Sequence, residues 1–183
     1  MKAFLFLADG FEEIEAITPI DILRRAEIDI ETISISNKNE VIGAHKIKLL
    51  ADKLFSETNF SECDILILPG GIPGTKNLEA HQGLKSLLEK HYNQGKSIAA
   101  ICAAPSILGG LGILNGKDAT CYPGFEHTLI GAQLSKNNVV KSGKIITAKG
   151  AGTALEFSLK IVEELKGSSL ADKITTTICA NSN

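Results

Sequence analysis

The chain lacks several features that would assign it to a common class of protein. It contains no run of eighteen apolar residues, so the sequence predicts no membrane-spanning segment. The apolar stretch near the N-terminus covers only residues 3–8 and is followed at once by acidic residues, so it is too short and too acidic for a signal peptide. A basic excess is also missing: the formal net charge is −2 over 183 residues, which argues against a nucleic-acid partner.

Paired cysteines are absent as well. Cysteines stand at positions 63, 102, 121 and 179, with no CxxC spacing and no histidine at the spacing of a zinc site, so no metal is expected. Because the sequence shows no export signal, we expect a cytoplasmic protein whose thiols stay reduced. Most buried free cysteines are inert small hydrophobes, so each one has to be judged by its own surroundings.

Short β-rich runs alternate with amphipathic segments of helix length. Strands are predicted at 2–8, 30–35, 65–68, 97–101 and 145–148, a hairpin around Gly43, helices at 12–26, 77–92, 105–111 and 153–166, and a short helix with a tail in the last dozen residues. This order is typical of an α/β fold, with helices on both faces of a mostly parallel sheet. No linker-like segment interrupts it, which predicts a single domain over residues 1–183.

Open parallel sheets bind their ligands outside the carboxyl ends of the strands. Four segments that follow predicted strands are rich in small or polar residues, and we expect them to converge on one edge: 9–15, 69–75, 102–105 and 149–153.

Cys102 directly follows one of these strands and precedes Pro105, a residue typical of a first helical turn. Its small neighbours suit a sharp turn that holds a nucleophile in a strained backbone conformation. The N–H groups at a helix start would lower the thiol pKa from its ordinary value of about 8.5. Taken alone, however, this stretch fits a cysteine packed in the core better, because free cysteines are commonly buried.

Three carboxylates stand at the start of the first predicted helix. Glu12 and Glu13 are interpreted as residues that complement the helix dipole. Glu15 shares the inward face with Thr18, and burial there would raise its carboxyl pKa. A protonated Glu15 would donate a hydrogen bond to a thiolate and act as an acid or a base.

The segment Pro69-Gly70-Gly71 brings glycines to the end of a buried strand. Its backbone N–H groups would suit an oxyanion hole. A tight turn without a ligand fits these residues equally well. The spacing matches neither a P-loop nor a dinucleotide-binding motif, so no nucleotide cofactor is expected.

Together these segments resemble the DJ-1/ThiJ/PfpI superfamily, in its DJ-1/ThiJ branch. The matching pieces run in family order along nearly the whole chain: 9–15, 19–21, 24–26, 68–71, 99–105, 122–123 and 150–157. The resemblance implies a flavodoxin-like three-layer sandwich that forms a homodimer, with Cys102 on a nucleophile elbow and Glu15 as its protonated partner. It also implies a substrate site formed by Gly70, Gly71, Ala103 and Tyr122, with the Gly71 and Ala103 amides facing the substrate oxygen.

The activity that the resemblance implies is a cofactor-independent glyoxalase or deglycase in stress protection. Its substrates would be small dicarbonyls or glycated thiols and amines. The alternative is a redox sensor or chaperone that uses oxidation of Cys102 without turnover. A peptidase is less well supported, because Ala103 stands where the peptidases of the superfamily have histidine.

A second departure from the family pattern is Tyr122, which stands where many relatives have a histidine near the cysteine. Tyrosine is a poor base near neutral pH, so proton transfer would fall to Glu15. The four histidines, at positions 45, 81, 91 and 127, are predicted on the surface, and His127 is the one nearest the site loop in sequence.

Overall fold

The computed structural model describes residues 1–180, which form three layers around a central sheet. The strands are β1 (Lys2–Leu7), β2 (Asp29–Ser34), β3 (Glu40–Ile42), β4 (Lys48–Leu50), β5 (Lys53–Leu54), β6 (Ile65–Leu68), β7 (Ser97–Ile101), β8 (Asp118–Ala119), β9 (Gln133–Leu134), β10 (Val139–Ser142) and β11 (Ile145–Ala148). The helices are α1 (Glu13–Arg25), α2 (Gly74–Ala80), α3 (Gln82–Asn93), α4 (Pro105–Gly110), α5 (Ala154–Lys166) and α6 (Ser168–Thr177). The end of the predicted tail, residues 181–183, lies outside the described residues, and so does the end of the single domain predicted over residues 1–183.

The central sheet has seven strands in the order β10-β11-β7-β6-β1-β2-β5. All neighbours are parallel except β10, which pairs antiparallel with β11 at the edge. The predicted α/β fold with a mostly parallel sheet is therefore confirmed. The predicted hairpin is also present, as the antiparallel pair of β3 and β4.

The central strands are apolar on both faces because each face carries its own core. In β1, Leu5 and Leu7 point into a cluster that also contains side chains of α1, α5 and α6. Phe4 and Phe6 point into a second cluster, with side chains of α2, α3 and α4. Successive side chains of a strand point to opposite faces, so a strand between two helical layers must be apolar throughout.

The structure corrects two predictions about the helices and their histidines. The helix predicted at 77–92 is two helices, because the chain breaks at His81, whose ring accepts a hydrogen bond from the Leu84 N–H at 3.0 Å and so caps α3. His91 is not on the surface but is 2% exposed, with its ring against the Ser97 carbonyl at 3.1 Å. Among the described residues, none of the helices is long and apolar enough to span a membrane.

Candidate active site

The four predicted segments meet at the carboxyl edge of the sheet, around Cys102. Gly70 marks how tightly they pack: a Cβ atom there would lie 2.6 Å from the Cβ of Cys102 and 2.7 Å from Oε2 of Glu15. A Cβ on Gly150 would lie 3.8 Å from Oε1 of the same glutamate. Only glycine, which has no side chain, allows the backbone at position 70 to lie this close to Cys102 and Glu15.

Cys102 occupies a strained turn between β7 and α4. Its φ is +65°, a left-handed conformation that residues other than glycine seldom adopt. The turn is held on both sides, because the Cys102 N–H donates to the Ala148 carbonyl at 2.9 Å and its carbonyl accepts from the Tyr122 N–H at 2.8 Å. Cys102 stays partly exposed, whereas the next three residues are buried. Strain of this kind persists where the surrounding structure determines it, and such positions cluster at functional sites.

Glu15 is the buried carboxyl beside this cysteine. It is 1% exposed, and the Gly70 N–H donates to its Oε2 at 2.8 Å. Burial, which disfavours the charged form, raises the pKa of Glu15 to about 7. The Gly70 amide is engaged by Glu15, so its part in the site is to hold the carboxyl.

The thiol pKa of Cys102 differs from the sequence-based expectation, which was that a helix start would lower it. Burial, followed by the adjacent Glu15, raises the pKa of Cys102 to about 12, while the Gly71 and Ala103 amides act in the opposite direction. The helix that follows has only six residues and does not outweigh the loss of water around the sulfur.

Cys102 and Glu15 each shift the pKa of the other and therefore titrate together. The pair loses the first of its two protons as the pH rises through about 7 and holds a single proton above that value. When that proton is on Glu15, the carboxyl no longer repels a thiolate and can donate a hydrogen bond to it. The amides of Gly71 and Ala103 also favour the thiolate, because they act to lower the thiol pKa.

The other cysteines have no comparable surroundings. Cys63 and Cys121 are 0% and 4% exposed, and burial raises their pKa values to about 12 and about 11. Cys179 is exposed near the end of the described chain. Cys102 is thus distinguished by its carboxyl neighbour, its strained turn and its amide donors rather than by the direction of its pKa shift.

Tyr122 is joined to the site through its backbone, by the hydrogen bond to the Cys102 carbonyl already described. Its ring is 49% exposed and lies against Gly150, where a Cβ would come within 3.2 Å of Cδ2. The ring also packs edge-on against Phe125, with centroids 6.5 Å apart. Tyr122 therefore forms part of the rim of the site.

Glu13 has a role that the sequence analysis missed. It is 4% exposed rather than a solvated dipole partner, and its Oε1 accepts from the His45 N–H at 2.7 Å and the Ile47 N–H at 3.4 Å. The His45 ring meets its Oε2 at 2.8 Å. Glu13 thereby fastens the β3–β4 hairpin to the start of α1, two residues from Glu15.

A group of possible metal ligands coincides with this contact. Ligand atoms of Glu12, Glu13 and His45 lie within 4.8 Å of one another. Both oxygens of Glu13 already accept hydrogen bonds, so an ion pair with His45 accounts for the group without a metal.

The fold and the site together define a class: a flavodoxin-like α/β sandwich with a cysteine–glutamate pair at the carboxyl edge of its sheet. Residues 1–164 match the DJ-1/PfpI family, and the chain belongs to that family. The solved structure of Toxoplasma gondii DJ-1 in an oxidized form superposes with a TM-score of 0.94 and 35% identity over 97% of both chains.

Three curated relatives illustrate the range of names in the family. Protein DJ-1 homolog B of Arabidopsis thaliana is 38% identical over 184 residues, which cover 100% of this chain and 42% of that protein. The chain likewise spans 46% of the length of Arabidopsis homolog A. A Caenorhabditis elegans protein named glutathione-independent glyoxalase DJR-1.2 is 34% identical over 92% of this chain and 90% of its own length.

Proposed function

We propose that the protein is a cofactor-independent cysteine enzyme that converts small 2-oxoaldehydes, or their adducts on thiols and amines, to 2-hydroxy acids. The observation that carries this proposal is the contact of a buried carboxyl, whose pKa is raised to about 7, with a partly exposed cysteine in a strained turn. A general acid or base works best when its pKa lies near the working pH. The glyoxalase name of the C. elegans relative, given the similarity over 92% of this chain and 90% of that protein, adds support.

The first step is addition of sulfur to the aldehyde carbon. The Cys102 thiolate forms the C–S bond, and the carbonyl oxygen takes the proton of Glu15, which gives a hemithioacetal. The amides of Gly71 and Ala103, which act to lower the thiol pKa of Cys102, stabilise the oxygen as negative charge develops on it.

Proton transfer between neighbouring carbons follows. The Glu15 carboxylate removes the proton from the former aldehyde carbon, and through an enediol a proton returns to the adjacent carbon, which leaves a thioester of the 2-hydroxy acid. Water then hydrolyses the thioester, releases the acid and restores the thiol. The net change is the addition of one water molecule, so the sequence of steps needs no oxidant, metal or nucleotide.

Peptide hydrolysis is less well supported by the same site. Ala103, not a histidine, follows the cysteine, and each histidine is placed elsewhere: His45 on Glu13, His81 at the start of α3, His91 against Ser97, and His127 on an exposed turn. Acyl transfer to a leaving amine needs a base that activates the thiol and later protonates the amine.

A redox sensor is the second candidate. The partly exposed sulfur and the oxidized form of the T. gondii relative favour it. Oxidation of Cys102 to a sulfinate would place a new anion among the Gly71 and Ala103 amides. In this reading the protein protects against oxidative stress without turnover.

The deciding measurement is lactate formation from methylglyoxal by purified, reduced protein without glutathione or metal. We expect sustained turnover, followed by NMR of the lactate methyl group, from protein whose intact mass confirms a reduced Cys102. Reduced protein that forms no lactate, but is rapidly converted by dilute peroxide to a sulfinate, would instead favour the sensor.

We also expect a homodimer, because large apolar side chains are left in solvent on one region of the surface. On α1, Ile14 and Ile17 are 53% and 41% exposed; on the hairpin fastened to its start, Ile47 and Leu50 are 51% and 73% exposed. An exposed apolar patch of this kind marks an interaction surface. Sedimentation equilibrium should give twice the chain mass of 19.5 kDa. A measured mass equal to that of one chain at protein concentrations up to about 100 μM would contradict the expectation, because a stable dimer has a dissociation constant well below that concentration.

A further inference from the structure

A groove of about 380 Å³ borders the Cys102 site and is used by none of the steps above. Its lining includes Ile72, Thr75, Ser106, Phe125, His127 and Ile130, and we refer to it as the Thr75 groove. Ile72 and Thr75 come from the segment 69–75, one of the four that build the site, and three residues of the lining adjoin site residues. Ile72 follows Gly71, Ser106 lies in the first turn of α4, and Phe125 packs on the ring of Tyr122.

The size of the groove exceeds what a three-carbon oxoaldehyde requires. Cavities upward of about 300 Å³ are those in which proteins hold ligands of drug size. A dicarbonyl bonded to Cys102 would leave the groove empty, because it has no further atoms to extend there. A substrate that carries its aldehyde carbon on a larger molecule has further atoms to place, and Ile72, next to Gly71, and Ser106, in the first turn of α4, link the groove to the Cys102 site.

Most of the lining surface is apolar, and one hydroxyl in it is buried. Ile72 and Ile130 are 49% and 62% exposed, which leaves their side chains free to contact a ligand. Thr75 is 3% exposed, and its Oγ1 has no hydrogen-bond partner among residues 1–180. A buried hydroxyl without a partner costs free energy that a ligand carbonyl or amide would recover.

The charges at the groove indicate what kind of molecule fits. Lys76 and Glu79, both on α2 and both lining the groove, bring one charge of each sign, and His127 is the remaining titratable group. The groove therefore has no excess of positive charge that would select a phosphate or a nucleotide. The isoleucines suit an apolar side chain of the ligand, and the Thr75 hydroxyl suits a neutral peptide group next to it.

We propose that the Thr75 groove is a subsite for an apolar side chain and the adjoining peptide group of a peptide that carries the aldehyde adduct processed at Cys102. The proposal rests on the proposed function and adds a preference to it: peptide adducts with a neighbouring large apolar residue are the better substrates.

The test compares two dipeptide adducts of methylglyoxal. These are the hemithioacetals of acetyl-leucyl-cysteine amide and acetyl-glycyl-cysteine amide, and the readout is the ratio of kcat/KM for lactate formation. We expect a ratio of about 10 in favour of the leucyl peptide, the scale on which an apolar pocket discriminates. A ratio of one would overturn the proposal, because both adducts would then be used only as sources of free methylglyoxal.

Two variants and one control test the assignment to this groove. Ile130→Ser and Thr75→Val should each lower the leucyl-to-glycyl ratio about 5-fold, since one removes apolar contact and the other removes the hydroxyl at nearly constant volume. Leu134→Ser removes a comparably exposed leucine, 58% exposed, from β9 outside this groove and should leave the ratio unchanged. A fall in the Leu134→Ser variant equal to that in Ile130→Ser would contradict the assignment.

A binding measurement separates failure of the subsite from failure of the proposed function. Methyl NMR of the wild-type protein with the unmodified dipeptides should show shifts of Ile72, Thr75 and Ile130 signals for the leucyl peptide and much smaller shifts for the glycyl peptide. These shifts without any lactate would reject the glyoxalase and keep the subsite. Lactate formation with a leucyl-to-glycyl ratio of one and no NMR shifts would keep the glyoxalase and reject the subsite.

Discussion

Replacement of Cys102 by serine is expected to reduce lactate formation from methylglyoxal by about 10³-fold or more, to background. A serine hydroxyl is a much weaker acid and a poorer nucleophile than a thiol, so Glu15 is too weak a base to activate it. The turn itself should survive, because the two backbone hydrogen bonds of residue 102, to Ala148 and from Tyr122, do not involve the side chain. Initial rates at saturating methylglyoxal, with a thermal melt of each protein, make the comparison.

Cys179→Ser is the matched control. Cys179 also has a positive φ, +59°, but it is exposed and lies near the end of the described chain. The Cys179 thiol has no hydrogen bond to a carboxyl among residues 1–180, so the same chemical change there should leave the wild-type rate unchanged. Equal activity in Cys102→Ser and the wild type would reject the cysteine mechanism, and loss in both variants would point to unspecific thiol chemistry.

Replacement of Glu15 by glutamine should lower kcat for methylglyoxal by about 10²- to 10⁴-fold, the usual contribution of a positioned acid or base. Glutamine can still accept the Gly70 N–H, so the geometry around Gly70 is preserved. The pH profile gives the sharper readout. Wild-type kcat/KM should rise through pH of about 7, as the cysteine–glutamate pair loses its first proton, and the variant should lack this step. A variant with an unaltered profile would remove Glu15 from the mechanism.

Glu15→Gln should also change the free energy of unfolding by an amount that depends on pH. Because the pKa of Glu15 is raised in the folded protein, its contribution to stability is fully present below about 4.5 and is lost as pH rises through about 7. A shift of this size corresponds to about 3 kcal/mol. Relative to the wild type, Glu15→Gln should therefore gain up to about 3 kcal/mol between pH 4.5 and pH 8, measured by urea unfolding.

Glu13→Gln provides a control of opposite sign on the same helix. Burial acts to raise the pKa of Glu13, but the hydrogen bonds from His45 and Ile47 lower it overall. The contribution of Glu13 to the free energy of unfolding is therefore present above pH of about 4.5 and is lost as the pH falls below that value. That variant should be less stable than the wild type at pH 8, with the difference shrinking in acid. If both variants shifted in the same direction with pH, the burial assigned to Glu15 would be wrong.

The sheet was predictable because strands enclosed by helices must be apolar on both faces. The runs 65–68, 97–101 and 145–148 have the same bounds in the structure as in the prediction. The break between α2 and α3 was not predictable from periodicity, since it depends on the ring of His81 capping the next helix. The short edge strands β5, β8 and β9 were missed because two residues carry no detectable pattern.

The sequence by itself determined the α/β order, the family and the segments that form the carboxyl edge, because these depend on local patterns and on motifs along one chain. Tertiary structure alone decided the electrostatics of the site. The pKa shifts of Glu15 and Cys102, the use of the Gly70 amide and the buried role of Glu13 all arise from contacts between residues distant in sequence. Loss of water and the approach of a charge depend on three-dimensional packing, so no linear spacing reveals their balance.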